Sequence, residues 1–179
     1  AGSLLQVCGP NGSGKTSLLR MLCGLSNPAA GEILWNGTAI RSLDGDYFAD
    51  VTYIGHLSGT KDDLTVIENL RISSALAGFE ISANQAGEAL KHMGLKGREA
   101  LPVKVLSQGQ RRRVALARLL VCSTTLWILD EPLVALDVMA VKLIQGLLEQ
   151  HLQRGGVIVM TTHQEIEVTA ASIMQLHLA

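Results

Sequence analysis

The chain has 179 residues, of which 47% are hydrophobic and 17% charged, with fifteen Lys and Arg against sixteen Asp and Glu, for a net charge of −1. This composition excludes disorder for the bulk of the chain, and no apolar run approaches the roughly 18 to 20 residues that a membrane-spanning helix needs. The near-zero net charge argues against a dedicated nucleic-acid-binding module, and three scattered cysteines predict neither disulfides nor a zinc site but favour a reducing, cytoplasmic compartment.

Apolar periodicity, turn signals and capping residues predict strands and helices that alternate along the chain. In chain order these are strand 4–8, helix 17–23, strand 32–35, strand 51–54, helix 65–77, helix 82–94, helix 107–122, strand 125–129, helix 138–153, strand 157–161, a short helix and strand 173–178. Thr65 with Glu68, and Ser82 with Gln85, have the spacing of capping boxes that open two of the helices.

The predicted fold class is α/β with a mostly parallel sheet. Residues 125–129 form a continuous apolar strand, which is typical of a parallel sheet covered on both faces. Asn36-Gly37 is a strong hairpin signal, so the strand before it is predicted to belong to a small antiparallel β piece.

A glycine-rich segment between the first strand and the first helix matches the pattern G-x-x-x-x-G-K-[ST]. In this pattern the glycines let backbone N–H groups wrap phosphates, the Lys reaches the terminal phosphates and the hydroxyl ligates Mg²⁺. The alternative is an ordinary glycine turn at a helix start, and the strand before and helix after disfavour it. The predicted nucleotide-binding residues here are Gly9, Pro10, Asn11, Gly12, Ser13, Gly14, Lys15, Thr16 and Ser17.

Asp130 and Glu131 follow the buried strand 125–129, at the sheet edge where open α/β folds place their sites. Phosphoryl transfer needs an acidic residue on Mg²⁺ and a group that orients the attacking water. Asp130, together with the Thr16 hydroxyl, is predicted to hold the Mg²⁺. The alternative for Asp130 is a cap on the turn before Pro132. His163 ends the next strand and could hydrogen-bond the terminal phosphate or the water, although a strand-end His is more often structural.

Five segments then carry a family resemblance: GPNGSGKT, LSQGQ at 106–110, WILDEP, Ala-Leu-Asp at 135–137 and TTH at 161–163. In this order they resemble the nucleotide-binding domain of ABC transporters, over essentially the whole chain. The resemblance implies a head-to-tail dimer that binds ATP and Mg²⁺. Each ATP would lie between one phosphate loop and Ser107, Gly109 and Gln110 of the other domain.

The resemblance also assigns roles within the chain. Glu131 would be the catalytic base, His163 the switch histidine, and Asp137 part of the loop that couples the two sites. Residues 1–179 would form one ABC ATPase domain without its usual N-terminal strands and the aromatic residue that stacks on adenine, with a helical subdomain at about 64–122. That subdomain would meet integral membrane subunits, which places the chain peripherally on the cytoplasmic face of the bacterial inner membrane.

Two positions depart from the family pattern. His56 stands where the family has a Gln before the helical subdomain, and its shorter ring can still hydrogen-bond water or ligate a metal. Because of this position we group His56 with the catalytic residues. Gln108 replaces a Gly of the signature, whereas Ser107 and Gly109 are retained.

A finer resemblance concerns the strings GEILWNG, YIGHLSG and TLWILDEP. They resemble the ATPase subunits of haem-export and cytochrome c maturation systems, in which ATP would drive transport of haem or release of a haem-loaded chaperone. The alternatives are the ATPase of another ABC transporter, a soluble ABC-type ATPase, and an inactive binding module. The single cassette disfavours the second, and the intact Lys15, Asp130, Glu131 and His163 disfavour the third.

Two further groups of residues are predicted to be ordinary. Arg111, Arg112 and Arg113 cannot share one helix face, since successive helical residues diverge by about 100°, and most are predicted to be solvated or paired. His92, His151 and His177 are predicted to be ordinary residues without partners.

Overall fold

A computed structural model describes residues 2–163, 168–170 and 172–179. Its strands are β1 (Ser3–Cys8), β2 (Leu34–Trp35), β3 (Thr38–Ala39), β4 (Val51–Ile54), β5 (Leu126–Asp130), β6 (Val157–Thr161) and β7 (Ser172–His177). Its helices are α1 (Lys15–Leu22), α2 (Asp44–Ala49), α3 (Val66–Leu76), α4 (Ala83–His92), α5 (Gln108–Leu116), α6 (Arg118–Val121) and α7 (Val138–Gln153), with 3₁₀ turns at Ile40–Ser42 and Val103–Val105.

Five strands form one parallel sheet in the order β4-β5-β6-β1-β7. β2 and β3 form a separate antiparallel hairpin around Asn36-Gly37, where both residues have positive φ. The α/β class and the antiparallel piece are therefore confirmed.

The core lies on both faces of this sheet, and β5 explains why. All five residues of β5 are buried, with Trp127 and Leu129 in one apolar cluster and Leu126 and Ile128 in another. Since neighbouring strand residues point to opposite faces, a strand covered on both sides is apolar along its length, and in β5 only the terminal Asp130 is polar. The first cluster also holds buried residues of α3, α4, α5, α6 and α7.

The parallel register brings three strand ends together. Thr161 at the end of β6 is in register with Asp130 at the end of β5 and with Val7 near the end of β1. The segments that follow β1, β5 and β6 therefore leave the sheet at one edge, and these segments contain the phosphate-loop pattern, Glu131 and His163.

Capping boxes at Thr65–Glu68 and Ser82–Gln85 are present as predicted. The single predicted helix 107–122 is instead two helices, because the hydrogen bonding tightens at Ala117, whose carbonyl accepts from the N–H of Leu120. Helix α2 was not predicted, and the short helix predicted between β6 and β7 includes residues outside the described part of the chain. Among the described residues, no helix is long and apolar enough to cross a membrane.

Candidate functional site

The loop between β1 and α1 requires glycine at three positions. Gly9, Gly12 and Gly14 have φ of 149°, 88° and 91°, a region that other residues rarely adopt. At Gly9 a Cβ atom would also lie 2.6 Å from both the Leu178 carbonyl oxygen and Ser13 Oγ. A side chain at this position would therefore displace the loop.

Two polar groups of this loop suit an anionic ligand. Lys15 Nζ is largely buried and donates to the carbonyl oxygens of Gly9 at 2.8 Å and Pro10 at 2.9 Å. Ser13 Oγ is buried and has no hydrogen-bond partner among the described residues. A buried polar atom without a partner is costly, so a ligand that accepts from this hydroxyl would relieve it.

Asp130 joins the phosphate loop to β6. Its carboxylate is buried and accepts from Thr16 Oγ1 at 2.8 Å through Oδ2 and from Thr161 Oγ1 at 2.6 Å through Oδ1. The Thr161 hydroxyl in turn accepts from the backbone N–H of Glu131 at 2.9 Å. One buried threonine thus fixes both acidic residues.

Glu131 and His163 are neighbours at the mouth of this arrangement. Glu131 Oε1 lies 3.3 Å from His163 Nε2, and the Glu131 side chain is 13% exposed against 55% for His163. Glu131 also has a φ of 50°, which is unusual outside glycine and keeps its backbone turned sharply after β5.

These groups line one cleft of about 570 Å³. Its lining residues are Asn11, Gly12, Gly14, Lys15, Thr16, Ser17, His56, Asp130, Glu131, Val134 and His163. The exposed His56 comes to the cleft from the segment after β4. Most of the predicted loop residues, both carboxylates and both histidines are therefore brought together in one place.

Seven predicted residues are absent from the lining that the described part of the chain provides: Gly9, Pro10 and Ser13 of the phosphate loop, and Ser107, Gly109, Gln110 and Asp137. Ser107 and Gln110 instead form a capping box at the start of α5. Asp137 caps α7, with Oδ1 accepting from the N–H of Ala140 at 2.8 Å, and lies 3.9 Å from Arg113. Ser107, Gln110 and Asp137 therefore have partners within their own chain.

The family follows from comparison with known proteins. Residues 1–134 match the family described as ABC transporter. The chain belongs to this ABC transporter family.

Two curated relatives and one solved structure agree with this assignment. The "Cytochrome c biogenesis ATP-binding export protein CcmA" of Nitrosospira multiformis is 71% identical over 99% of the chain and 86% of its own length. The protein of the same name from Nitrosomonas europaea is 65% identical over 99% of the chain and 84% of its length. An ATP-binding cassette solved as a dimer in a post-hydrolysis state with ADP and Pi is 28% identical, with a TM-score of 0.79 over 91% of the chain and 75% of that cassette.

The chain is accordingly an ABC ATPase, the ATP-binding subunit of an ABC system, as predicted. Its site residues also fit the metal that such ATPases use. The Thr16 hydroxyl and the Asp130 carboxylate are hard oxygen donors 2.8 Å apart, the type of ligand that Mg²⁺ prefers.

Arg112, like the Thr161 hydroxyl, belongs to this ABC site and was missed by sequence reasoning. It is 4% exposed and donates to the backbone carbonyls of Asp130 and Glu131. Burial lowers its pKa, and the nearby Asp130 and Glu131 carboxylates oppose that shift. Nothing in the run of three arginines distinguishes Arg112, because its partners come from distant segments of the chain.

Proposed function

We propose that the cleft binds ATP with its phosphates on residues 9–17 and that the chain hydrolyses it. The observation that carries this proposal is the 2.8 Å hydrogen bond from Thr16 to Asp130, because it places the phosphate loop beside the strand end that carries Glu131. On binding, Lys15 Nζ would exchange the carbonyls of Gly9 and Pro10 for oxygens of the terminal phosphates.

Thr16 and Asp130 would hold Mg²⁺. Bound there, the ion would neutralise charge on the β- and γ-phosphates. The Thr161 hydrogen bond orients the Asp130 carboxylate for this task, since it occupies Oδ1 and directs Oδ2 toward Thr16.

Glu131 would act as the general base. The oxygen of a water molecule attacks the γ-phosphorus, the bond from that phosphorus to the β–γ bridging oxygen breaks, and ADP leaves while the Glu131 carboxylate takes a proton of the water. His163, whose Nε2 lies 3.3 Å from Glu131 Oε1, would hydrogen-bond the γ-phosphate or the water. His56, which also lines the cleft, would provide a further polar group.

A second copy of the chain would complete the site. Ser107, Gly109 and Gln110 lie outside the cleft lining of their own chain, and Ser107 is exposed at the start of α5. In a head-to-tail dimer they would contact the ATP on the partner's phosphate loop, and Asp137 would lie in the loop that couples the two sites. The dimeric cassette with ADP and Pi supports such an arrangement.

The relatives' printed names support a role in cytochrome c biogenesis. We infer that the chain powers haem transport, or release of a haem-loaded chaperone, together with integral membrane subunits of the CcmB and CcmC kind. It would act peripherally on the cytoplasmic face of the bacterial inner membrane. Residues 1–179 would form one ATPase domain, and its helical subdomain, about 64–122, offers exposed Ile72 and Leu76 as a docking surface.

Deletion of the gene, followed by complementation, tests this function. The deletion strain should lose c-type cytochromes and keep b-type haem proteins. Wild-type chain and the surface control Glu88→Gln should restore c-type cytochromes, and Glu131→Gln should not. Normal c-type cytochromes in the deletion strain would exclude a role in cytochrome c biogenesis but would not contradict the assignment of the chain as an ATPase.

A further inference from the structure

Three consecutive arginines at the start of α5 reach three different places. Arg111 pairs with Asp62 and donates to the carbonyl of Lys104. Arg113 lies near Asp137 and donates to the carbonyl of Met93. Arg112 points into the protein and is 4% exposed. The other two arginines are paired, which agrees with the prediction that most of the three are solvated or paired.

The guanidinium of Arg112 is bonded only to backbone carbonyls in the described part of the chain, and it uses its full donor capacity. Arg carries five N–H donors in a fixed planar fork. Five carbonyl oxygens accept from Arg112, those of Asp130 at 2.7 Å, Glu131 at 2.9 Å, Pro132 at 3.3 Å, Gly55 at 2.7 Å and His56 at 3.4 Å.

These carbonyls belong to two separate segments of the chain, each of which contributes to the lining of the cleft. Asp130, Glu131 and Pro132 are consecutive residues at and after the end of β5. Gly55 and His56 follow β4. Glu131 is held on both sides of its residue, because its N–H donates to Thr161 Oγ1 and its carbonyl accepts from Arg112. Two such restraints are what a left-handed, non-glycine conformation needs in order to persist.

The same helix start has a second fixed contact. At Gly109 a Cβ atom would lie 2.4 Å from the carbonyl oxygen of Ala135, so the first turn of α5 packs directly on the backbone that follows Pro132. Ser107 is the residue immediately before this turn and forms its capping box. Helix α5 is therefore attached to the segment 130–135 through Gly109 in its first turn and through Arg112 in its second.

We propose that Arg112 is a positioning residue for hydrolysis, which ties the start of α5 to the backbone of Glu131 and of His56. Contact of Ser107 with the partner's nucleotide would shift α5. Because of Arg112, that shift moves the Glu131 carboxylate and the segment that contains His56 together. This inference rests on the proposed role of Glu131 as base.

A lysine cannot replace this contact. Its ammonium has three donors on a single nitrogen and lacks the planar fork, so it cannot reproduce the five bonds of Arg112. Arg112→Lys should consequently leave the phosphate loop intact while releasing the Glu131 carbonyl.

The test measures ATP affinity and turnover per nucleotide-binding site in the reconstituted membrane complex. Arg112→Lys should lower kcat about 100-fold, the effect of a misplacement of about 1 Å, with an unchanged Kd for ATP. Arg111→Lys is the matched control on the same helix and should keep wild-type values. If Arg112→Lys does not fold, Arg112→Gln, which buries no ammonium, is measured in the same way.

The double variant separates positioning from general damage. In a Glu131→Gln background, Arg112→Lys should cause no further loss of single-turnover rate, because the group that it positions is already absent. An independent, multiplicative loss there, or wild-type turnover per site in Arg112→Lys, would overturn the inference. Wild-type turnover in Glu131→Gln alone would instead overturn the proposed function.

Discussion

Replacement of Thr161 by Val removes the hydroxyl that holds both carboxylate residues of the cleft. Thr161 is fully buried in β6, and Val preserves its branched shape at a strand position. The substitution deletes the 2.6 Å bond to Asp130 Oδ1 and the 2.9 Å bond from the Glu131 N–H.

The cost follows from the kind of groups left behind. A hydrogen bond to a charged group contributes about 1.5–3 kcal/mol, and a buried N–H left without a partner costs about 1–3 kcal/mol. Asp130 keeps its bond from Thr16, so the expected loss in the free energy of unfolding is about 3 kcal/mol.

Urea unfolding at neutral pH without nucleotide measures this loss, and Thr52→Val provides the matched control. Thr52 is equally buried in β4, but among the described residues its hydroxyl bonds only the neutral hydroxyl of Thr124, at 2.7 Å. Its removal should cost about 1 kcal/mol. Equal destabilisation by the two variants would refute the reasoning that the charge of Asp130 dominates the Thr161 contact.

Three other predictions concern single side chains. Lys15→Ala should weaken ATP binding and abolish hydrolysis, and calorimetry that gives an unchanged ATP affinity would contradict the loop assignment. His56→Gln should retain much of the ATPase activity, whereas His56→Ala should uncouple ATP use from the membrane partner; wild-type behaviour of both in a reconstituted complex would make His56 an ordinary loop residue. Burial of the His151 ring lowers its pKa from the ordinary value of 6.5, and this effect outweighs the hydrogen bond with the Thr125 carbonyl, which raises the pKa. The contribution of His151 to the stability of the folded protein should therefore be complete above pH 6.5 and be lost as the pH falls through the lower pKa of the folded state. Unfolding free energies of the wild type and His151→Phe should therefore diverge between acidic and neutral pH, and parallel pH profiles would exclude the effect.

Much of the fold could be predicted because its signals are local. The Thr65 and Ser82 capping boxes each involve residues three positions apart, and the apolar strand 125–129 records its burial on both faces in its own composition. The phosphate loop is similar, since its glycines are required by backbone conformations within the loop itself.

Helix α2 shows where local signals fail. It contains Gly45 and has no side-chain cap at its start, so neither propensity nor capping marks it. Tertiary contacts hold it instead, because Tyr47 is buried, donates to the Leu22 carbonyl at 2.6 Å and packs edge-on against Trp35.

The candidate site divides in the same way. Motif spacing predicted Lys15, Asp130 and Glu131, but not the Thr161 hydroxyl or the Arg112 fork that hold them. His151 was predicted to have no partner and in fact stacks on Trp127, with ring centroids 3.8 Å apart. These residues act through partners from distant parts of the sequence, and a single sequence does not indicate which distant segments meet.

The most direct test of ATP hydrolysis by this cleft is the fate of ATP on Glu131→Gln. The substitution keeps the shape of the side chain and the backbone bonds of Glu131 to Thr161 and Arg112, but removes the base. Nucleotide content and oligomeric state after incubation with MgATP should show an ATP-loaded dimer, with turnover lower by about 100-fold or more. Turnover equal to that of the wild type, with ADP in the sites, would contradict the assignment of Glu131 as the base.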